Sequence, residues 1–175
     1  IRNADIGAVI RAFVGGNRPF DHQQVEAKVL ATLKTNETPD FNYYSLLPHS
    51  YLPHTPAIAS ADINDDGLDD IYVGGLAGEE KYLLIGNAQG SFTKVTVPAF
   101  GQFSDRSDTE AHWQDVDNDG DLDLLVQTAS HPFAEQKDLQ QPRLFLNTGR
   151  YQFEHKPLPA MNGQTGQVCF TDFNG

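Results

Sequence analysis

Residues 62–73 read DINDDGLDDIYV, and residues 115–126 read DVDNDGDLDLLV. Each stretch crowds carboxylates and amides into nine positions, places a glycine sixth, and then runs into aliphatic residues typical of a strand. Spaced two apart in a tight loop, the carboxylates of Asp62, Asp66 and Asp70 and the amide oxygen of Asn64 are expected to converge on one point. Unneutralised, such a cluster repels itself by roughly several kcal/mol at effective dielectric constants near about 20. A hard dication removes that cost. Ca²⁺ accepts about six to eight oxygens in flexible geometry, from carboxylates, amides, backbone carbonyls and water. Gly67 and Gly120 allow the sharp turn that such a loop needs. The seventh residue, Leu68 or Asp121, offers its backbone carbonyl, and the ninth, Asp70 or Asp123, closes the set. The second copy supplies Asp115, Asp117, Asp119, Asp121 and Asp123.

Two familiar calcium loops fail on the same residue. An EF-hand needs a bidentate Glu at position twelve and flanking helices. Position twelve is Val73 in one copy and Val126 in the other, and strand-forming sequence follows both. Dockerin-type loops also want an acid there. The sites therefore read as nine-residue Ca²⁺ loops leading into strands.

The loops belong to a longer repeat. Their first residues, Asp62 and Asp115, lie 53 positions apart. Each is followed by a strand and then by a hairpin signature of apolar strand, Asn, Gly-containing turn and Phe. That signature reads LLIGNAQGSF at 83–92 and LFLNTGRYQF at 144–153. A third copy opens at VCFTDFNG, residues 168–175, where Asp172 and Asn174 stand as Asp62 and Asn64 do. The sequence stops inside this motif and begins at Ile1 rather than Met. It reads as a processed or excised piece of a longer protein.

From about Phe41 the texture is β. AIASADI, DIYVGG, YLLIGN, FTKVTV, LDLLVQT, RLFLNT and YQFEHK are strand candidates separated by Gly, Asn, Asp and Pro. Residues 1–40 differ. Ile6, Val9, Ile10 and Phe13 fall at helical spacing before Gly15 and Gly16, and Val25, Val29, Leu30 and Leu33 repeat the pattern after Asp21. Two short helices are expected there, as a linker or cap, or as a docking element using the Val25/Val29/Leu33 stripe.

The pattern D-x-[DN]-x-D-G-x-x-D-hydrophobic, recurring every fifty-odd residues of β-rich sequence, resembles the FG-GAP or VCBS-type repeat of integrin α-subunit propellers. The run LLPHSYLPHTPAIASADINDDGLDDIYVGG before and through the first loop, with LFLNTGRYQF later, is similar to bacterial secreted proteins of the UnbV and cartilage acidic protein group. The resemblance covers about residues 41–175 and leaves 1–40 without a family. It implies a mainly β fold built of β-propeller blades, about two and the start of a third, after a short α-helical N-terminal segment. Propellers usually close with about four to eight blades, so the missing ones belong to the rest of the parent chain or to neighbouring copies. The resemblance also implies Ca²⁺ that pins loops between strands, two sites complete and a third partial.

Composition narrows the partners. The 175-residue chain carries 24 acids against 12 Lys and Arg, a net charge of −12. That disfavours nucleic acid, whose binding rests on phosphate neutralisation, and anionic membrane surfaces. No run approaches the length of a membrane span, so no membrane insertion is expected. The single Cys, Cys169, excludes an internal disulfide and has no evident His partner. The six His (His22, His49, His54, His112, His131 and His155) form no HExxH and no close metal pair, although His49 and His54 flank a short loop. No GxSxG motif appears. Trp113 reads as a packing aromatic, and GEEK at 78–81 as a solvated turn. The expectation is a non-enzymatic, calcium-stabilised repeat module of an extracellular, cell-surface or periplasmic protein. Its work would be adhesion, assembly or recognition of a protein or glycan. The alternatives are a scaffold within a larger secreted enzyme or a structural subunit of an extracellular assembly.

Overall fold

The computed structural model describes residues 57–128 and 141–159. The helices expected in 1–40, Cys169 and the partial third motif with Asp172 and Asn174 lie outside the described residues. So do His22, His49, His54 and His131.

Among the described residues, eight strands form two four-stranded antiparallel sheets. The first holds β1 (Ile58–Ala61), β2 (Asp70–Val73), β3 (Tyr82–Gly86) and β4 (Phe92–Thr96), in that spatial order. The second holds β5 (Asp108–Gln114), β6 (Asp123–Thr128), β7 (Arg143–Asn147) and β8 (Phe153–Lys156), again in chain order. Each sheet is thus a meander in which every strand pairs with its predecessor. Both acidic loops occupy the same place, between the first and second strands of their sheet.

The strands follow from local chemistry. In β2 and β3 every residue is buried, as their near-continuous apolar runs require. The β3–β4 turn is held by Asn87, whose Oδ1 accepts from the N–H groups of Gln89 and Ser91, both at 3.1 Å. Gly90 takes the left-handed backbone that this turn demands, at φ 73°. Seven strands match the runs that the sequence marks out. β5 is the exception. In DTEAHWQ, Asp108, Glu110, His112 and Gln114 are polar, and Thr109 is the one β-branched residue, so the run lacks the Val and Ile by which a strand is recognised.

A single helical turn, α1 (Pro98–Gly101), connects β4, the last strand of one sheet, to β5, the first strand of the next. Pro98 starts it, and Phe100 is driven fully into the space between the sheets. There Phe100 meets Tyr72 edge-on at 5.3 Å and Phe145 edge-on at 5.0 Å. Leu83, Ile85, Leu124, Val126 and Phe153 complete a core shared by both sheets. The first strands also touch. Ala57 N–H donates to the Asp108 carbonyl at 3.2 Å, and the Trp113 indole N–H donates to the Ala59 carbonyl at 3.2 Å. Trp113 is therefore a packing residue at the seam between the sheets.

The end of the sheets away from the acidic loops carries buried charge. Asp108, 0 % exposed, accepts from the Tyr72 hydroxyl at 2.8 Å and pairs with the Arg143 guanidinium. Lys81, 3 % exposed, lies 3.9 Å from the same carboxylate and donates to the Arg106 carbonyl at 2.8 Å. This corrects the sequence reading of GEEK. Gly78 and Glu80 face solvent, but Lys81 is an internal cation that joins β3 to β5. Burial lowers its pKa, and the Asp108 carboxylate opposes that shift.

Candidate metal-binding loops

The two acidic loops adopt the same backbone. Position four is left-handed in both, at Asp65 (φ 59°) and Asn118 (φ 61°). Position six is left-handed in both, at Gly67 (φ 82°) and Gly120 (φ 97°). Asp and Asn tolerate that region because their short side chains bond locally, whereas Gly enters it freely. The position-six N–H reaches back to the first residue. Gly67 donates to Asp62 Oδ2 at 2.7 Å, and Gly120 donates to Asp115 Oδ2 at 3.1 Å. The position-seven N–H reaches the fifth. Leu68 donates to Asp66 Oδ1 at 2.8 Å, and Asp121 donates to Asp119 Oδ1 at 2.9 Å.

The ninth residue has a second role that spacing did not reveal. Asp70 and Asp123 are 0 % and 1 % exposed, the most buried residues of their loops. Ile63 N–H donates to Asp70 Oδ2 at 3.3 Å, and Gly86 N–H donates to Oδ1 at 2.8 Å. Val116 and Asn147 N–H groups do the same for Asp123, at 3.0 and 2.8 Å. Each carboxylate therefore clips the start of its loop to the end of the third strand. Burial pushes the Asp70 carboxyl up to about 6 against the pull of those two N–H groups, and the charges of Asp66 and Asp62 add to the rise. Burial also raises Asp123, with Asp117 and Asp119 adding to the shift.

The loops differ at the third residue, and the electrostatics follow. In the second loop, Asp115, Asp117 and Asp123 each present a carboxylate oxygen, and the three oxygens lie within 4.8 Å of one another. Asp115 Oδ1 is buried and has no hydrogen-bond partner. Three anionic oxygens this close together, with an oxygen of Asp115 left unpartnered, fit a hard cation, and the all-oxygen donor set fits Ca²⁺. Among the described residues no other group of three acids meets that distance, so Asp119 stands outside the tight cluster, as do Asp62, Asp66 and Asp70. In the first loop Asn64 replaces a carboxylate. Its Nδ2 donates to Asp70 Oδ2 at 3.3 Å, and its Oδ1 accepts from Asp66 N–H at 2.9 Å. The amide there supplies part of the positive potential that the second loop lacks.

The remaining histidines do not assemble with these groups. His112 Nε2 faces Glu110 at 3.7 Å, and His155 packs on Phe103 at 4.6 Å between ring centroids. Burial lowers the His155 pKa, with Arg106 and Arg143 contributing. No helix among the described residues is long and apolar enough to cross a membrane.

The family model of the FG-GAP-like repeat matches residues 57–126. That span runs from the start of the first sheet through both acidic loops into β6. It supports the FG-GAP resemblance and does not extend to the VCBS or UnbV-type subgroups. Neither the curated proteins nor the solved structures give a match to the chain.

Proposed function

We propose that this FG-GAP-like chain is a calcium-stabilised repeat module of a secreted or cell-surface protein. It serves adhesion, assembly or recognition of a protein or glycan rather than catalysis. The convergence of Asp115, Asp117 and Asp123 on one point, with an unpartnered buried oxygen on Asp115, carries this reading. In the second loop Asp115, Asp117, Asp119 and Asp123 would hold the ion with their carboxylates and Asp121 with its carbonyl. In the first, the holders would be Asp62, Asn64, Asp66 and Asp70, with Leu68 through its carbonyl. A bound dication supplies the positive charge that the clustered carboxylates otherwise lack.

The two sheets are further read as adjacent propeller blades. The path from the last strand of one meander to the first strand of the next supports this, because a propeller must step from rim to axis between blades. The contact of β1 with β5 supports it too, since first strands of neighbouring blades line one axis. Calcium in this setting fixes the loops at one end of the blades and leaves them as a rigid platform for a partner. Extracellular Ca²⁺ matches the weak sites expected of such modules, with Kd of about 10⁻⁴ to 10⁻³ M.

Calorimetric titration with CaCl₂ tests the metal sites. Binding in that range is expected at pH 7.5, with the second loop the tighter of the two. Asp117→Ala should remove the tighter component. Lowering the pH through about 6 should weaken binding further, because a proton on Asp70 then competes with the metal. An unchanged isotherm for Asp117→Ala would refute the assignment of the second loop.

A further inference from the structure

The turn between β7 and β8 is strained at a place where its counterpart is relaxed. Both turns close with the same backbone bond, Asn87 N–H to the Ser91 carbonyl at 3.0 Å and Thr148 N–H to the Gln152 carbonyl at 2.9 Å. The residue before the closing one is Gly90 in the first turn and Tyr151 in the second. Gly90 adopts its φ of 73° freely, but Tyr151 is held at φ 60°, directly after Arg150 at φ 54°. A bulky residue in the left-handed region persists only where its surroundings fix it there. Two contacts do so. The Tyr151 ring packs against the shared core. Its hydroxyl accepts from Asn64 Nδ2 at 3.0 Å, across the seam between the sheets.

We infer that Tyr151 is a positioning residue for the first metal loop, supplied by the second repeat. The inference rests on the metal reading given above. An amide can present either its oxygen or its NH₂ to a cation, and only the oxygen is a ligand. Asn64 is set with Nδ2 donating to the Tyr151 hydroxyl and to Asp70 Oδ2, which leaves Oδ1 on the side of the Asp66 N–H that it accepts from. With one acceptor removed, the reversed amide competes better and the loop loses part of its ligand set. The second loop has Asp117 at this position, and a carboxylate has no wrong way round. The first loop therefore depends on its neighbour through Tyr151, and its calcium affinity reports whether the two sheets are docked.

The test uses Tyr151→Phe, which keeps the ring and deletes only the hydroxyl. It is read by CaCl₂ titration in the Asp117→Ala background, where the first loop gives the signal. A loss of about tenfold in affinity is expected, the lower end for groups that orient metal ligands from outside the coordination shell. In the N64D background the same Tyr151→Phe change should leave affinity unaltered, because no amide remains to orient. Unchanged affinity with Asn64 in place would overturn the inference. Equal losses in both backgrounds would also overturn it, since Tyr151 would then act only through general packing. Absence of calcium binding in the Asp117→Ala parent would instead sink the metal reading of the first loop, and this inference with it.

Discussion

Asp108→Asn is expected to destabilise the fold by about 3–5 kcal/mol, the cost typical of removing one partner from a buried ion pair. Asp108 is the anion on which β2, β5 and β7 meet, together with the segment leading into β3. Arg143 is 1 % exposed, and its Nε and Nη1 have no hydrogen-bond partner among the described residues. Its charge is therefore balanced through Nη2 and Asp108. The amide would keep the shape of the carboxylate and an acceptor for Tyr72, but it would strand two buried cations. Urea unfolding with and without the substitution measures the cost. A loss below about 1 kcal/mol would mean that the pair is solvated or otherwise compensated. Tyr72→Phe is a useful contrast. It removes one neutral donor to the same carboxylate and should cost only about 1–2 kcal/mol.

Asp123→Ala should cost about 2–5 kcal/mol even with chelator present, when no metal is bound. The alanine leaves the N–H groups of Val116 and Asn147 without their acceptor, and an unsatisfied buried donor costs about 1–3 kcal/mol. Asp70→Ala should behave alike in the first sheet through Ile63 and Gly86. Asp119→Ala gives the comparison. Asp119 is exposed and, among the described residues, holds only the local Asp121 N–H, so its loss should cost no more than about 1 kcal/mol in chelator. If Asp123→Ala and Asp119→Ala proved equally mild in chelator, the ninth residue would be a ligand alone and not a clip.

The parts of this protein that were legible in sequence are those written in short-range pattern. Seven strands announce themselves as apolar runs between turn residues, and both loops by their alternating acids and their glycine. β5 was not legible, because its backbone is recruited by neighbours rather than by propensity and its register shifts between Asp108 and Glu110. Val126 and Leu124 pair with Ala111 and Trp113, and Ala57 meets Asp108. Asp70 and Asp123 were named as ligands, but their hold on the third strand depends on where β3 and β7 end. Lys81, Asp108 and Arg143 sit in segments that look like ordinary polar sequence, and only the docking of the sheets makes them a buried set. Tyr151 gave one faint signal. It stands where the first repeat has a glycine, a mismatch that marks the turn as special without naming Asn64.

A thermal melt in CaCl₂, in MgCl₂ and in chelator bears most directly on whether the loops are calcium sites. A ligand that binds only the folded state adds about 1.4 kcal/mol per site at roughly ten times its Kd. Two such sites should raise the melting temperature of a chain this size by roughly 5–10 °C. The rise should grow with free Ca²⁺ and be much smaller in Mg²⁺, whose near-ideal octahedral demand these flexible loops do not meet. A melting temperature the same in millimolar CaCl₂ and in chelator, with the chain folded in both, would contradict calcium binding by these loops.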